Sequence, residues 1–180
     1  MPPRAVRTIR DLIYWQYAKL IAESAGFSKN YRFIMSRFKK LQNCEIQWSG
    51  AIREWLRERE LEDACIYCGN KGHLSTDHLI PRSRRGPDSG DNAVLACKHC
   101  NSSKGNWGLY AWIGLDDRDT VPRIAEGKYL KLLYRLHEEE GTLDIDLDCL
   151  SELCDRCDLG HLCPETALTV LCLESMFPNR

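Results

Sequence analysis

No stretch of this 180-residue chain approaches the roughly 18 consecutive apolar residues that a membrane-spanning helix needs. The opening Met1-Pro2-Pro3 runs into charged sequence with no apolar signal-peptide region behind it. The expectation is therefore a cytoplasmic protein with no membrane partner. The chain also lacks low-complexity tracts, internal repeats and any large excess of one charge, its formal net charge being −1. With 43% apolar and 28% charged residues, neither disorder nor a fibrous structure fits, and the length allows a buried core.

The near-neutral total hides a gradient. Residues 1 to 60 carry 12 Lys/Arg against 6 Asp/Glu, and residues 121 to 180 carry 6 against 12. Such asymmetry points the N-terminal part toward a polyanion and leaves the acidic end for solvent, a basic protein partner, or the chain's own first third. Charge alone does not choose among these.

What the chain has in abundance is cysteine, ten in all, four of them in two C-x2-C pairs, Cys65/Cys68 and Cys97/Cys100. In a cytoplasmic protein this spacing reads as metal ligation: four thiolates can surround one tetrahedral zinc, each pair gripping from a tight turn. A pair of disulfides or scattered buried thiols is the competing reading, and the missing signal peptide and the paired spacing argue against it.

Around these pairs the pattern is helical. Ile9, Leu12, Ile13, Tyr17, Leu20 and Ile21 share one helix face, with Gly26 as a stop. Tyr31, Ile34, Met35, Phe38 and Leu41 repeat the spacing, as do Trp48, Ala51, Ile52, Trp55 and Leu56. Lys29, Arg32, Arg37, Lys39 and Lys40 lie off these stripes as nucleic-acid candidates. An acidic turn at Asp116, Asp117 and Asp119 precedes a helix opened by Pro122, striped by Tyr129, Leu132, Leu133 and Leu136, and closed by Gly141. The division expected is a basic helical region (1–60), a middle module (61–118) and an acidic, cysteine-rich helical region (119–180).

Between the cysteine pairs stand Thr76-Asp77-His78-Leu79-Ile80-Pro81, then Arg82, Arg84, Arg85 and Gly86, then Asn92. The second pair leads into Asn101 and Lys104. From residue 65 to 105 this order of C-x2-C, Asp-His-x-x-Pro, a basic turn with glycine, Asn, and C-x2-C-Asn-x-x-Lys resembles the HNH endonuclease family in its zinc-stabilised form. Where many relatives have two glycines in the turn, this chain has Arg85-Gly86.

The resemblance implies an α+β, mainly α protein. At its centre is a small ββα-metal unit with structural zinc, having strands near residues 74 to 80 and 92 to 96 and a helix from about 98, flanked by N- and C-terminal helices. Zinc replaces a core that so small a unit could not build alone. Hydrolysis of a phosphodiester needs an activated water and a cation beside the phosphate. His78 is the implied general base, since imidazole changes charge near neutral pH. Asp77 and Asn101 are the implied ligands of Mg²⁺ or another divalent ion. Adjacent strand residues face opposite ways, so a bent hairpin must bring Asp77 and His78 to one site. Asn92 is expected to brace the loop and orient His78, while Arg82, Arg84, Arg85 and Lys104 are expected to contact DNA phosphates.

The implied activity is a metal-dependent endonuclease on double-stranded DNA, in defence against foreign DNA or in restriction. A rival reading is an inactive zinc-stabilised binding or adaptor module, or a nuclease subunit active only within a complex. A second cluster, Cys154, Cys157, His161 and Cys163 with Cys149 or Cys172 nearby in sequence, offers a second zinc site, or else scattered thiols. This acidic region is also where a protein partner would bind.

Overall fold

The computed structural model describes residues 2–46, 63–149, 154–155, 157–163 and 168–179. The helix expected through Trp48 and Trp55 lies outside them.

Helix α1 (Ile9–Ser24) starts where Thr8 Oγ1 accepts the Asp11 N–H, while the Asp11 carboxylate reaches back to Arg7 N at 3.0 Å, a reciprocal cap on free helix donors. Two further α1 amides are satisfied from far along the chain: Ile9 N donates to Ile145 O and Arg10 N to Leu143 O. Leu12, Trp15, Gln16, Tyr17, Leu20 and Ala22 are all buried, so α1 is covered on several sides. It is the central strut, packed against α2 (Tyr31–Gln42), α5 (Arg123–Glu139) and α6 (Cys172–Ser175).

Helices from both flanks thus share one apolar core, in which Ile13, Phe38, Tyr129, Leu133, Leu171 and Phe177 are buried. Ion pairs cross the same divide. Arg10 grips Asp144 through two nitrogens at 2.9 and 3.0 Å and Arg123 meets Glu23 at 3.6 Å, while Arg85 of the middle module pairs with Glu140. Part of the charge gradient is therefore spent within the fold.

The hairpin of β1 (Leu74–His78) and β2 (Ala93–Cys97) is antiparallel, with Asp77 opposite Val94 and His78 opposite Ala93. β1 ends two residues earlier than the sequence suggested, because Ile80 N is taken by the Asn92 side chain and Pro81 follows. Leu79, Ile80 and Val94 plug the hairpin into the main core, and α3 (Lys98–Lys104) follows β2 directly. At the other end Cys65, Ala96, Cys97 and Cys100 form a separate small cluster with Tyr67, Leu74 and Trp112 around it. The mixed architecture with a small ββα unit is the one the sequence implied.

Helix α4 (Leu109–Ile113) is fixed by a buried carboxylate. Glu174 accepts from Tyr110 N at 2.8 Å, Ala111 N at 3.1 Å and the Tyr129 hydroxyl at 2.6 Å. A Cβ at position 108 would collide with that carboxylate, which explains Gly108. Burial pushes the Glu174 carboxyl above the ordinary range while these three donors oppose the shift.

Candidate metal centre and active site

Cys65, Cys68, Cys97 and Cys100 bring their four sulfurs within 4.8 Å of one another, the one such group among the described residues. Cys68 Sγ and Cys97 Sγ are 3.7 Å apart. Tetrahedral zinc with bonds near 2.3 Å needs sulfurs about 3.8 Å apart, so the quartet suits that ion. The two knuckles differ in construction. Cys65 and Cys68 sit on a turn closed by Gly69 N donating to Cys65 O at 2.8 Å. Cys97 caps α3, accepting the Cys100 N–H at 3.5 Å, a bond that lowers its thiol, while burial raises that of Cys100 beside it.

Tyr67, inside the first knuckle, donates its hydroxyl to Asp77 Oδ2 at 2.6 Å and packs edge-on against Trp112. Trp112 in turn donates from its indole nitrogen to Ser103 Oγ at 3.0 Å. Burial, with the Asp77 charge beside it, pushes the Tyr67 hydroxyl far above its usual range, so it stays a donor.

Asp77 lies on the β1 face that α3 covers. Lys104 Nζ sits 3.1 Å from Asp77 Oδ2 and 3.3 Å from Oδ1, and donates to His78 O at 2.6 Å. The lysine side chain is 0% exposed and that of Asp77 7%. Asn101, one turn earlier, donates from Nδ2 to Ser75 Oγ at 3.0 Å and Thr76 O at 3.3 Å, leaving its amide oxygen as the atom that could face a cation.

His78 follows Asp77 at the strand end, half-buried, with Nε2 3.4 Å from Asp88 Oδ1. Asp88 also meets Arg82 at 3.3 Å, so a charged chain runs from the hairpin turn to the imidazole. Asn92, fully buried, accepts Ile80 N at 2.8 Å and donates to Ile80 O and Pro87 O, both at 2.9 Å. These bonds close the loop after His78. Within it Arg85 adopts the left-handed conformation (φ +66°), and Gly86 packs so closely on the Ile80 carbonyl that no side chain fits. A single glycine therefore suffices for the turn.

Two expected phosphate contacts are corrected. Arg84 is 2% exposed and spends its guanidinium on Asp158 (2.5 Å), Asn106 O and Phe177 O (both 3.0 Å). Lys104 is buried against Asp77. Neither reaches solvent to meet a phosphate, whereas Arg82 is exposed and Arg85 partly so. His161 lies against the Trp107 ring, centroids 5.9 Å apart. Tyr67 and Asp88 are contributors that sequence reasoning missed; the position of Tyr67 within C-x-Tyr-C was the available signal.

Residues 65–106 match the family model described as HNH endonuclease. That segment is an HNH domain. The chain is also similar to a CRISPR-associated endonuclease Cas9 of Corynebacterium diphtheriae, 38% identical over 52 residues. The match spans 27% of this chain and 5% of that much longer protein. No solved structure matches the chain significantly. The HNH domain accounts for the hairpin, α3 and the cysteine quartet; the helices that flank it lie outside the family match. Among the described residues, no helix is long and apolar enough to cross a membrane.

Proposed function

We propose that the chain is a metal-dependent endonuclease that hydrolyses phosphodiester bonds in double-stranded DNA, working in the cytoplasm in defence against foreign DNA or in restriction. The observation that carries this reading is that Asn101 on α3 bonds Ser75 and Thr76 of β1, the strand that ends in Asp77 and His78, with the loop after His78 locked by Asn92.

In this reading zinc at the cysteine quartet is structural. Asp77 and Asn101 hold Mg²⁺ or another divalent ion, which supplies charge neutralisation at the phosphate. His78 takes the proton from the attacking water, and Asp88, 3.4 Å from Nε2, orients the ring. Asn92 positions His78 by fixing Ile80. Tyr67 holds Asp77 in place, and Lys104 balances its charge until the carboxylate is used. Arg82 and Arg85 meet flanking phosphates.

The buried Asp77–Lys104 pair favours a second reading, in which the hairpin binds nucleic acid without cutting or cuts only inside a larger assembly. Plasmid nicking by the purified chain decides between them. Cleavage that needs Mg²⁺ and stops with chelator supports the endonuclease; tight binding without cleavage at any divalent concentration supports the second reading.

A further inference from the structure

Cys154, Cys157, Cys163 and Cys172 follow a C-x2-C-x5-C-x8-C spacing outside the HNH domain. Locally the first pair uses the same two kinds of bond as the hairpin site. Cys157 N donates to Cys154 O at 3.1 Å, closing a tight turn, and Leu159 N donates to Cys157 Sγ at 3.4 Å. In the hairpin site the bonds of the same two kinds, each one residue longer in span, are Gly69 N to Cys65 O and Cys100 N to Cys97 Sγ. A backbone donor aimed at sulfur supports the thiolate that a metal requires.

The second pair is gathered by Thr169. Its hydroxyl lies 4.0 Å from Cys163 Sγ and its carbonyl accepts the Cys172 N–H at 3.1 Å. Cys157, Cys163 and Cys172 all pack against the one main apolar core, which brings both pairs to the same end of the fold. None of the four is in a disulfide.

We propose that Cys154, Cys157, Cys163 and Cys172 hold a second structural zinc ion, with Cys172 in the place that the sequence offered to His161. The sulfurs stand wider apart than in the hairpin quartet, with Cys154 exposed at the mouth. Binding draws them together, and the four thiols release their protons to solvent as they become thiolates. The ion steadies the loop on which Asp158 reaches Arg84 and Leu159 enters the core. It also ties that loop to α6, which carries Glu174. The acidic region thereby becomes a clamp on the HNH turn.

Thiol alkylation of the zinc-loaded full-length chain under native conditions, read by mass spectrometry together with metal content, tests this. The expected result is two zinc ions per chain, label on exposed Cys44 and Cys149, and protection of Cys154 although it is exposed. Chelator should then open Cys154, Cys157 and Cys163. The Cys163→Ser/Cys172→Ser protein should keep one zinc, and His161→Ala should keep two. Because the double variant could fail to fold, Co²⁺ titration of the unaltered chain gives a second reading, with thiolate-to-cobalt absorption saturating at two equivalents. One zinc with rapid labelling of Cys154, cobalt–thiolate absorption saturating at one equivalent, or loss of zinc on removing His161, overturns the proposal.

Discussion

The Tyr67 hydroxyl donates to Asp77 Oδ2 at 2.6 Å, so one hydrogen bond separates the cysteine knuckle from the carboxylate proposed to hold the divalent ion. Trp112 and Ser103 back the ring, and Glu174 fixes the helix that bears Trp112. Order at the knuckle is thereby passed to the strand end.

That relationship predicts the behaviour of Tyr67→Phe. The ring and its packing on Trp112 stay, the quartet keeps its zinc, and Asp77 loses one restraint. Removal of such an outer partner costs on the order of 10- to 100-fold in metal affinity or activity. Zinc content and nicking rate measured on the same preparation check this; unchanged nicking would make the bond incidental.

Lys104→Met removes the ammonium that compensates a buried carboxylate. Breaking a buried pair from one side costs about 3–5 kcal/mol, because the remaining charge is left unpaired. The variant should melt lower in chelator and recover much of the loss on addition of Mn²⁺, while the parent protein gains less. Thermal melts with and without Mn²⁺ report both. Equal gains in the two proteins would separate Lys104 from the metal site.

The arginines of the hairpin turn should divide by burial. Arg82→Ala with Arg85→Ala should weaken binding to any duplex and flatten the log–log salt dependence by about two units at roughly 0.9 per contact. Arg84→Ala should leave that slope alone and instead cost about 3 kcal/mol of stability, its partner Asp158 being left without a cation. Binding across a salt series, set beside urea denaturation, separates the two effects.

Burial lowers His137 to about 4, and its two ring nitrogens face Thr142 Oγ1 and Leu173 O. The folded form binds the proton less readily than the unfolded chain, so stability is full above about 6.5 and falls as pH drops toward 4. The loss amounts to about 3 kcal/mol from this group at the lower end. Denaturation at stepped pH, compared with His137→Phe, should show the extra acid sensitivity in the parent alone.

The hairpin was readable because its signals are local. Paired cysteines, Asp-His-x-x-Pro and the two asparagines lie within 41 residues, and the helix stops at Gly26 and Gly141 are short-range chemistry. The fates of Arg84 and Lys104 were not readable. Arg82, Arg84 and Arg85 look alike in sequence; what buries one of them is Asp158, 74 residues away. Lys104 meets Asp77 across 27 residues, a contact that exists only once α3 folds over β1. The burial of α1 on several sides was hidden for the same reason, since its cover comes from α2, α5 and α6.

The central claim is that His78 activates water in a metal-dependent cleavage, and a single comparison tests it most directly. Supercoiled plasmid is incubated with Mg²⁺ and either the parent protein or His78→Ala, each with zinc content and duplex binding confirmed. The account predicts nicking by the parent and its loss in the variant, with zinc and binding unchanged, because the imidazole is no member of the quartet and faces Asp88 at the end of the strand. Nicking by His78→Ala at the rate of the parent would contradict it.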